Sequence, residues 1–269
     1  MTVSPHALDA AVALTPAGAH RFTGHTHPAY SNMVGPFGGT IAATLLNGVL
    51  SHPERLGDPL SLTVHYAAPI TDGAFEVHAR PMRTNRSTQH WLVELRQGDA
   101  VVAFATVLTA VRRDTWSATD AVFPSVPSAE SLPRHPGVFR TEWPKAYDMR
   151  FTDGEQVLDN VVRDDAVTRV WLRDEPPRPL DFLALSAICD AFIPRVFVRR
   201  SRAVPAGTVT LTVYFHADAA LLAAQGTAHV LGCAKGLRYS QGFHDQTAEI
   251  WSAQGDLLAV GHQVVYFKE

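Results

Sequence analysis

Cysteine is nearly absent from this chain, and this scarcity already excludes several classes of protein. The 269 residues include only two cysteines, Cys189 and Cys233. Two thiols cannot build a disulfide framework or a four-thiolate zinc site, so we expect a reducing, cytoplasmic environment and no resident metal or other cofactor. The net charge of −3 shows no basic excess. Nucleic acid is therefore not an expected partner.

Long apolar runs and familiar hydrolase motifs are also missing. No apolar run has the length of about 20 residues that a membrane helix needs, so we expect no membrane span. The N-terminal segment lacks a basic start and carries Asp9 within its apolar part, which argues against a signal peptide. Ser186, Ser201 and Ser240 all lack a G-x-S-x-G setting, which disfavours a serine hydrolase.

Strand-forming sequence, in contrast, is abundant, and 46% of the residues are hydrophobic. Alternating apolar and polar positions predict two antiparallel meanders. Their strands are predicted at 60–69, 75–83, 89–96, 101–111, 167–172, 208–215, 227–233, 248–252 and 257–267. Residues 1–19 are predicted to be a loose arm. The proline-rich stretch 114–143 is typical of a linker lying over the surface. We therefore predict two domains, 1–113 and 144–269, joined by this linker.

Glycines lead directly into an apolar helix predicted within residues 35–50, G-P-F-G-G-T-I-A-A-T-L-L-N-G-V-L. Such a helix entry presents free N–H groups, and glycine lets a ligand approach closely. The G-K-[ST] ending of a phosphate loop is missing. Upstream, His25 and His27 form an H-x-H pair without an acidic or cysteine partner at ligand spacing, which favours two ordinary histidines over a metal site.

A second apolar helix is predicted over residues 180–196, with Asp181 as its N-cap and Pro194 as its stop or kink. Its side chains are apolar nearly all round, which is typical of a buried helix. One charge interrupts it, at Asp190. Burying a lone carboxylate costs several kcal/mol unless donors surround it. Asp190 therefore either faces solvent on one side of the helix or is buried because it has a functional role.

The two halves of the chain resemble each other. Residues 60–66 (L-S-L-T-V-H-Y) match V-T-L-T-V-Y-F at an offset of 149. Residues 45–50 match I-C-D-A-F-I at an offset of 143, and 98–103 match G-D-L-L-A-V at an offset of 157. These drifting offsets predict a duplicated, domain-sized unit. On this alignment Asn47 stands in the place of Asp190 and Thr106 in the place of Gln263, so only the second copy keeps the polar side chains.

This order of elements resembles the double hot-dog acyl-CoA thioesterases over nearly the whole chain. The matching pieces are F-G-G-T-I-A-A (37–43), S-A-I-C-D-A-F (186–192), T-V-T-L-T-V-Y-F-H (208–216) and A-E-I-W-S-A-Q-G-D-L-L-A-V-G-H-Q (248–263). The resemblance implies an α+β fold. In it, two antiparallel sheets each wrap round a buried helix, as a tandem repeat in one chain.

The resemblance also implies a catalytic set, namely Asp190, Thr208 and Gln263. Asp190 would accept a proton from water, while the other two would hold that water. Thr208, Thr210 and Thr212 alternate on one face of a predicted strand, so a two-residue slip would select Thr210 instead.

Substrate-binding residues are suggested by the helix ends. The developing oxyanion needs N–H donors, for which Gly38 and Gly39 are the candidates. Arginines 195, 199, 200 and 202 follow the Asp190 helix, and of these Arg199 and Arg200 are the candidates for binding the phosphates of coenzyme A. A solvated basic loop is the alternative.

Two functions follow from these patterns. The first is hydrolysis of acyl-CoA to a free fatty acid and CoA, a reaction of lipid metabolism. The second is an acyl- or acyl-CoA-binding protein without turnover. A hydratase on the same fold is disfavoured because no D-x-N-x-x-H pairing occurs on the second helix. Uncovered sheet edges invite pairing, so we expect a homodimer or a higher homo-oligomer.

Overall fold

The computed structural model describes residues 5–136, 141–155 and 158–269, which form helices packed against one large sheet. The first half contains α1 (Ala7–Ala11), β1 (Thr15–Pro16), β2 (Arg21–His25), α2 (Gly38–Leu50), β3 (Asp58–Tyr66), β4 (Ala74–Thr84), β5 (Thr88–Gln97) and β6 (Ala100–Ala110). The second half contains β7 (Tyr147–Asp153), β8 (Thr168–Asp174), α3 (Phe182–Ile188), α4 (Arg195–Arg200), β9 (Ala206–Phe215), α5 (Ala219–Gln225), β10 (Val230–Lys235), β11 (Tyr239–Ser240), β12 (Phe243–Trp251) and β13 (Leu257–Phe267). Short 3-10 helices cover Pro28–Tyr30, Ala129–Ser131 and Trp143–Ala146.

The strands form a single antiparallel sheet in the order β1-β2-β4-β5-β6-β3-β9-β13-β12-β10-β8-β7, with β11 beside β12. The predicted simple meander in the first half is wrong, because β3 pairs with β6 and β9 and not with β4. The edge of β4 is taken by β2. The seven residues 67–73 that join β3 to β4 are too long for a tight hairpin turn, so the chain can cross the end of the sheet.

The two halves meet where β3 lies beside β9. In that register Thr63 faces Thr212, and their hydroxyl oxygens are 3.1 Å apart. The repeat offset of 149 makes these same two threonines equivalent, so a local two-fold axis passes between them. This continuous sheet with a helix in each half is the predicted double hot-dog fold, which is thus confirmed.

Helix α2 is the buried centre of the first half. Ten of its thirteen residues are buried, because Gly, Ala and Leu occupy positions all round it. It packs against β4, β5 and β6 on one side and against α3 on the other. In the described part of the chain no helix has the length and apolarity that crossing a bilayer requires.

The helix predicted over 180–196 is correct at its start and wrong in its extent. The Asp181 carboxylate accepts from the Ala184 N–H at 2.8 Å, as an N-cap should. Helix α3 then ends at Ile188, and Pro194 precedes the separate helix α4. In a continuous helix the Pro194 ring would clash with the carbonyl of Asp190, four residues earlier. Asp190 therefore lies in the turn that follows α3.

The predicted loose arm is wrong for residues 7–12, whereas residues 1–4 lie outside the described part of the chain. Helix α1 places Leu8, Ala11 and Val12 in the core, at the i, i+3, i+4 spacing of one helix face. The His6 ring accepts from the Leu8 N–H and caps the helix. This short amphipathic pattern was visible in the sequence.

Part of the predicted linker, from Phe123 to Leu132, packs over the outer face of the second half, whereas Trp143 at its end is buried in the main core. The described residues of 114–143 contain no strand; they hold the 3-10 helix Ala129–Ser131 and the first residue of the 3-10 helix Trp143–Ala146. The Trp171 indole donates to the Pro127 carbonyl at 2.9 Å. Ala129 joins Trp171, Leu231 and Trp251 in a small apolar cluster that is separate from the main core. The linker thus covers apolar side chains that β8, β10 and β12 expose.

Candidate active site

Asp190 is a buried acidic side chain that lies next to the entry of α2. Its residue surface is only 8% exposed. One carboxylate oxygen, Oδ1, accepts from Gln263 Nε2 at 2.8 Å, and the backbone N–H of Gly39 also interacts with the carboxylate. No cationic side chain of the described residues pairs with it. Neutral donors therefore hold this carboxylate, and its charge is left uncompensated.

Gln263 connects Asp190 to Thr208. Its amide nitrogen also points at the Cys189 carbonyl, at 3.4 Å. Its amide oxygen accepts from the Thr208 hydroxyl at 3.2 Å. Because Gln263 has both donors and an acceptor, its orientation is fixed by contacts on both sides. The structure thus brings the three predicted residues together in one chain of hydrogen bonds.

A β-bulge brings Thr208 to this site. Thr210 pairs with Val264 and Thr208 pairs with Val265, which leaves Val209 as an extra residue in β9. Such a bulge reverses the side-chain alternation beyond it. The expectation that Thr208, Thr210 and Thr212 share one face is therefore wrong. Thr208 lies on the inner face with Gln263, whereas the other two threonines lie on the outer face.

Burial tunes the acidity of Asp190. Desolvation raises its pKa to about 7, and the hydrogen bonds from Gln263 and Gly39 oppose this rise. A carboxylate with a pKa near neutrality holds a proton as readily as it releases one at physiological pH, which is the property of a general base. Asp174 is the other described carboxyl whose pKa burial raises to about 7.

Gly38 and Gly39 have no side chains, and this allows the entry of α2 to approach the segment around Asp190 closely. A Cβ on Gly38 would lie 2.7 Å from Asp190 Oδ2, and one on Gly39 would lie 2.5 Å from the Ala187 carbonyl. Both distances are shorter than any Cβ contact allows. The entry of α2 can therefore approach the turn that carries Asp190 only because both positions are glycine.

Tyr66 also belongs to this site, although it is not among the residues predicted from the sequence. Its hydroxyl donates to the Gly38 carbonyl at 2.7 Å. Burial, followed by the charge of Asp190, raises its pKa well above the ordinary value. The repeat contained a clue, because Tyr66 in β3 matches Phe215 in β9 at the offset of 149. The first copy thus adds a hydroxyl to a site whose acid comes from the second copy.

Arg199 and Arg200 lie apart from Asp190, at an open cavity of about 740 Å³. The cavity is lined by Val162, Val196, Arg199, Arg200, Tyr239, Ser240, Gln241, Gly242, Phe267 and Glu269. Arg200 is ion-paired with Glu269, whereas Arg199 has no ion pair within the described chain. Arg195 cannot join them, since its buried guanidinium donates to Gln246, Thr168 and backbone carbonyls. The predicted arginine cluster is therefore wrong for Arg195.

The first half does not repeat the site. Asn47 donates to the Val12 carbonyl and accepts from Ser51, so it fastens α1 to α2. The proposed equivalence of Thr106 and Gln263 is wrong by one residue. Thr106 faces Thr63 across the sheet as His262 faces Thr212. The neighbouring buried Val107 therefore takes the place of Gln263, and the described chain carries one such site.

The cysteines and the H-x-H histidines, the other reactive or metal-ligating side chains considered from the sequence, have the following surroundings. Cys189 and Cys233 are both free, and burial raises the pKa of each thiol far above its ordinary value, to about 12 for Cys233. Among residues 5–136, 141–155 and 158–269 no group of three His, Cys, Asp or Glu side chains could hold a metal ion. His25 contacts its neighbour's carbonyl, and His27 caps the Pro28–Tyr30 turn.

The fold and this buried Asp–Gln–Thr arrangement define a double hot-dog protein with a single acidic site. Two family models match the chain: the acyl-CoA thioesterase N-terminal domain over residues 27–111 and the acyl-CoA thioesterase C-terminal domain over residues 123–267. The chain therefore belongs to the acyl-CoA thioesterase family. No curated protein matches the sequence significantly.

Solved structures show the same fold over the whole length of the chain. A conserved hot-dog protein of unknown function from Alicyclobacillus acidocaldarius is 48% identical, with 99% of both chains covered and a TM-score of 0.95. The tesB protein of Mycobacterium avium subspecies paratuberculosis is 18% identical, with 97% of this chain and 98% of that chain covered and a TM-score of 0.79. An acyl-CoA thioesterase II from Mycobacterium marinum is 15% identical at the same coverage, with a TM-score of 0.76. The last two share the fold with this chain.

Proposed function

We propose that this protein hydrolyses acyl-CoA thioesters, with Asp190 as the general base that activates water. The observation that carries the proposal is the buried Asp190 carboxylate, which is held by Gln263 and Gly39 without a counter-charge. A structural role does not require an uncompensated acid in the core. A base does, because burial brings its pKa to the pH at which it works.

The reaction follows from this geometry in two steps. Asp190 takes a proton from water while the water oxygen attacks the thioester carbonyl carbon, whose electrons move onto the carbonyl oxygen. The carbonyl then re-forms, the carbon–sulfur bond breaks, and the proton on Asp190 passes to the CoA sulfur. Gln263 and Thr208 position the water and the carboxylate. The products are a carboxylic acid and CoA.

The developing oxyanion requires N–H donors that other groups do not already use. Gly39 is directed at Asp190, so its N–H is not free for this role. The Gly38 N–H is in the first turn of α2, where backbone donors have no partner within the helix. We therefore assign the oxyanion to Gly38 N–H and assign Gly39 to holding the base.

The pH dependence of catalysis tests the contact between Gln263 and Asp190. A base must be deprotonated, so kcat/KM of the wild type should rise with pH up to about 7 and then level off. Gln263→Leu removes a hydrogen bond that favours the charged form. The rising part of the plot of kcat/KM against pH, its acidic limb, should therefore move to higher pH by about one to two pH units. Thr208→Val should move the limb less, because the Thr208 hydroxyl donates to Gln263 and not to the carboxylate. An unmoved limb in Gln263→Leu would contradict the assignment.

The cavity beside Arg199 is suited to the nucleotide end of CoA. Gln263, Val265 and Phe267 alternate onto the inner face of β13, and Phe267 lines the cavity. Four strand residues span about 14 Å. An extended pantetheine arm has a similar length, comparable to about four peptide residues. A thioester at Gln263 would therefore place the CoA phosphates near Arg199, whose guanidinium has no ion pair with any residue that the structure describes.

Replacing Arg199 should weaken binding of substrates that carry the complete CoA moiety and should leave the chemical step unchanged. We expect Arg199→Ala to raise KM for an acyl-CoA roughly tenfold, since a charge-assisted hydrogen bond is lost. The same variant should hydrolyse the matching acyl-pantetheine, which lacks the nucleotide, at the wild-type rate. Steady-state kinetics with both substrates measure this. Equal losses with both would place the effect of Arg199 outside phosphate binding.

An assay of CoA release across acyl groups from acetyl to palmitoyl tests the function itself. Hydrolysis of at least one member is the expected result. If none is hydrolysed while acyl-CoA still binds, the protein is an acyl-CoA-binding protein, and the proposal fails. The cytoplasmic location and the place in lipid metabolism that the sequence suggests are part of this proposal.

We also propose that the chain assembles as at least a dimer. Phe243, Val264 and Tyr266 are large apolar side chains exposed on the outer face of the sheet. They lie on the adjacent strands β12 and β13, and Phe243 pairs directly with Tyr266. Light scattering at micromolar concentration should give twice the chain mass or more, whereas a monomer would contradict this proposal.

A further inference from the structure

A second group of buried polar atoms lies beside the β7–β8 pair. The Tyr30 and Tyr147 hydroxyls and Asp174 Oδ1 are buried, and none has a hydrogen-bond partner among the described residues. The two tyrosine rings are 6.5 Å apart, and Tyr147 faces Asp174 in the β7–β8 register. Leaving one such atom unsatisfied is unfavourable, so three together indicate that something binds there.

A row of three aromatic side chains in mutual contact, Phe37, Trp143 and Tyr147, connects this group to the proposed active site. Phe37 packs so closely on Gly39 that a Cβ there would be 2.5 Å from its ring. Phe37 stacks on Trp143 at 4.3 Å, and Trp143 meets Tyr147 at 6.2 Å. The charges of Asp174 and Asp190 both act on Tyr147, whose pKa burial already raises. Tyr147 thus contacts Trp143 on one side and pairs with Asp174 in the sheet on the other.

We propose that Tyr30, Tyr147 and Asp174 form a subsite for a hydroxyl group on the acyl chain of the substrate. This inference rests on the proposed hydrolysis of acyl-CoA at Asp190. A hydroxyl has one donor and two acceptor sites. It donates to Asp174 and accepts from the two tyrosines, so a single group satisfies all three orphaned atoms. A plain alkyl chain satisfies none of them.

The charges around the subsite favour a neutral group over an ion. Asp174 repels an anion when it is ionised, and burial raises its pKa to about 7 against the opposing effect of Arg178. The Arg178 guanidinium is occupied by Asp9 and Asp181, so it is not available to pair with an anionic ligand. A ligand cation would lose its hydration there and would gain only a carboxyl group that burial keeps partly protonated near neutral pH. A hydroxyl carries no charge to desolvate.

Binding of non-hydrolysable CoA thioethers tests the subsite independently of turnover. Calorimetry would compare S-octyl-CoA with S-(hydroxyoctyl)-CoA isomers that carry the hydroxyl at successive carbons. We expect one isomer to bind roughly ten- to a hundredfold more tightly than S-octyl-CoA. Tyr147→Phe and Tyr30→Phe should each reduce this preference severalfold and leave the binding of S-octyl-CoA nearly unchanged.

Tyr239→Phe is the matched control, because it also removes a buried hydroxyl without a partner, at the cavity beside Arg199. It should change the binding of both thioethers alike and leave their ratio intact. If no isomer binds more tightly than S-octyl-CoA, or if the tyrosine variants keep the preference, buried water fills the site and the inference is overturned. If the preference is present but no acyl-CoA is hydrolysed, only the proposed function fails.

Discussion

Asp190→Asn should lower kcat by about 10²–10⁴-fold, the usual contribution of a positioned general base. Asparagine keeps the shape and part of the hydrogen bonding at Gln263 but cannot accept the proton of water. KM should change little, because the residue acts in the transition state and not in ground-state binding. A continuous assay of free CoA, run over pH, measures the loss and should show that the limb near pH 7 has disappeared.

Asp181→Asn is the matched control for this variant. It makes the same chemical change at the other end of α3, where asparagine is an equally good N-cap. The control should retain the wild-type kcat. Because Asp190 is buried and its charge is unpaired, Asp190→Asn should also fold normally. Its stability relative to the wild type should increase as the pH rises from about 3.8 and reach its full gain above about 7, the two pKa values of Asp190 in the unfolded and folded states. A folded Asp190→Asn protein with an undiminished kcat would remove Asp190 from the mechanism.

Gly38→Ala should lower kcat/KM roughly a hundredfold, the effect of displacing a reacting group by about 1 Å. The new methyl group would lie 2.7 Å from Asp190 Oδ2 and 3.3 Å from the Tyr66 hydroxyl. One of these groups must move, and the Gly38 backbone lies outside the left-handed region, so alanine itself is conformationally allowed. Thioester hydrolysis and a thermal melt should be measured on the same preparation.

Gly48→Ala in the same helix separates the loss of activity from a loss of stability. Its methyl group would lie 2.7 Å from the Val77 side chain and far from the carboxylate. This control should lower the melting temperature while the folded fraction keeps its rate. If Gly38→Ala is as active as the wild type, the close approach of α2 to Asp190 has no catalytic importance.

The architecture could be predicted because it depends on patterns that repeat. Strict alternation marked most strands, and the offset of 149 linked β3 to β9 before any pairing was visible. The same threonines, Thr63 and Thr212, then lie opposite each other at the junction of the halves. The position of β3 beside β6 was not predictable, because strand order depends on long-range pairing that no local pattern records.

Details of the candidate site were harder to predict, since they depend on single-residue irregularities. The bulge at Val209 decides that Thr208 and not Thr210 reaches Gln263, and β-branched threonines and valines are equally suited to either register. The early end of α3 depends on Pro194, whose effect on the preceding turn can be stated in advance but not located to one residue. Tyr66 comes from the other half of the chain, so only the folded arrangement reveals it.

A single-turnover reaction in H₂¹⁸O tests the central claim most directly, because it follows the oxygen atom that attacks the thioester. Excess wild-type enzyme would be mixed with an acyl-CoA that it hydrolyses, and the acid and the protein would be analysed by mass spectrometry. General-base activation of water by Asp190 predicts one ¹⁸O atom in the carboxylic acid and none in the protein. An ¹⁸O label on the Asp190 side chain, with unlabelled acid, would mean that Asp190 attacks the thioester itself, and the general-base mechanism would be wrong.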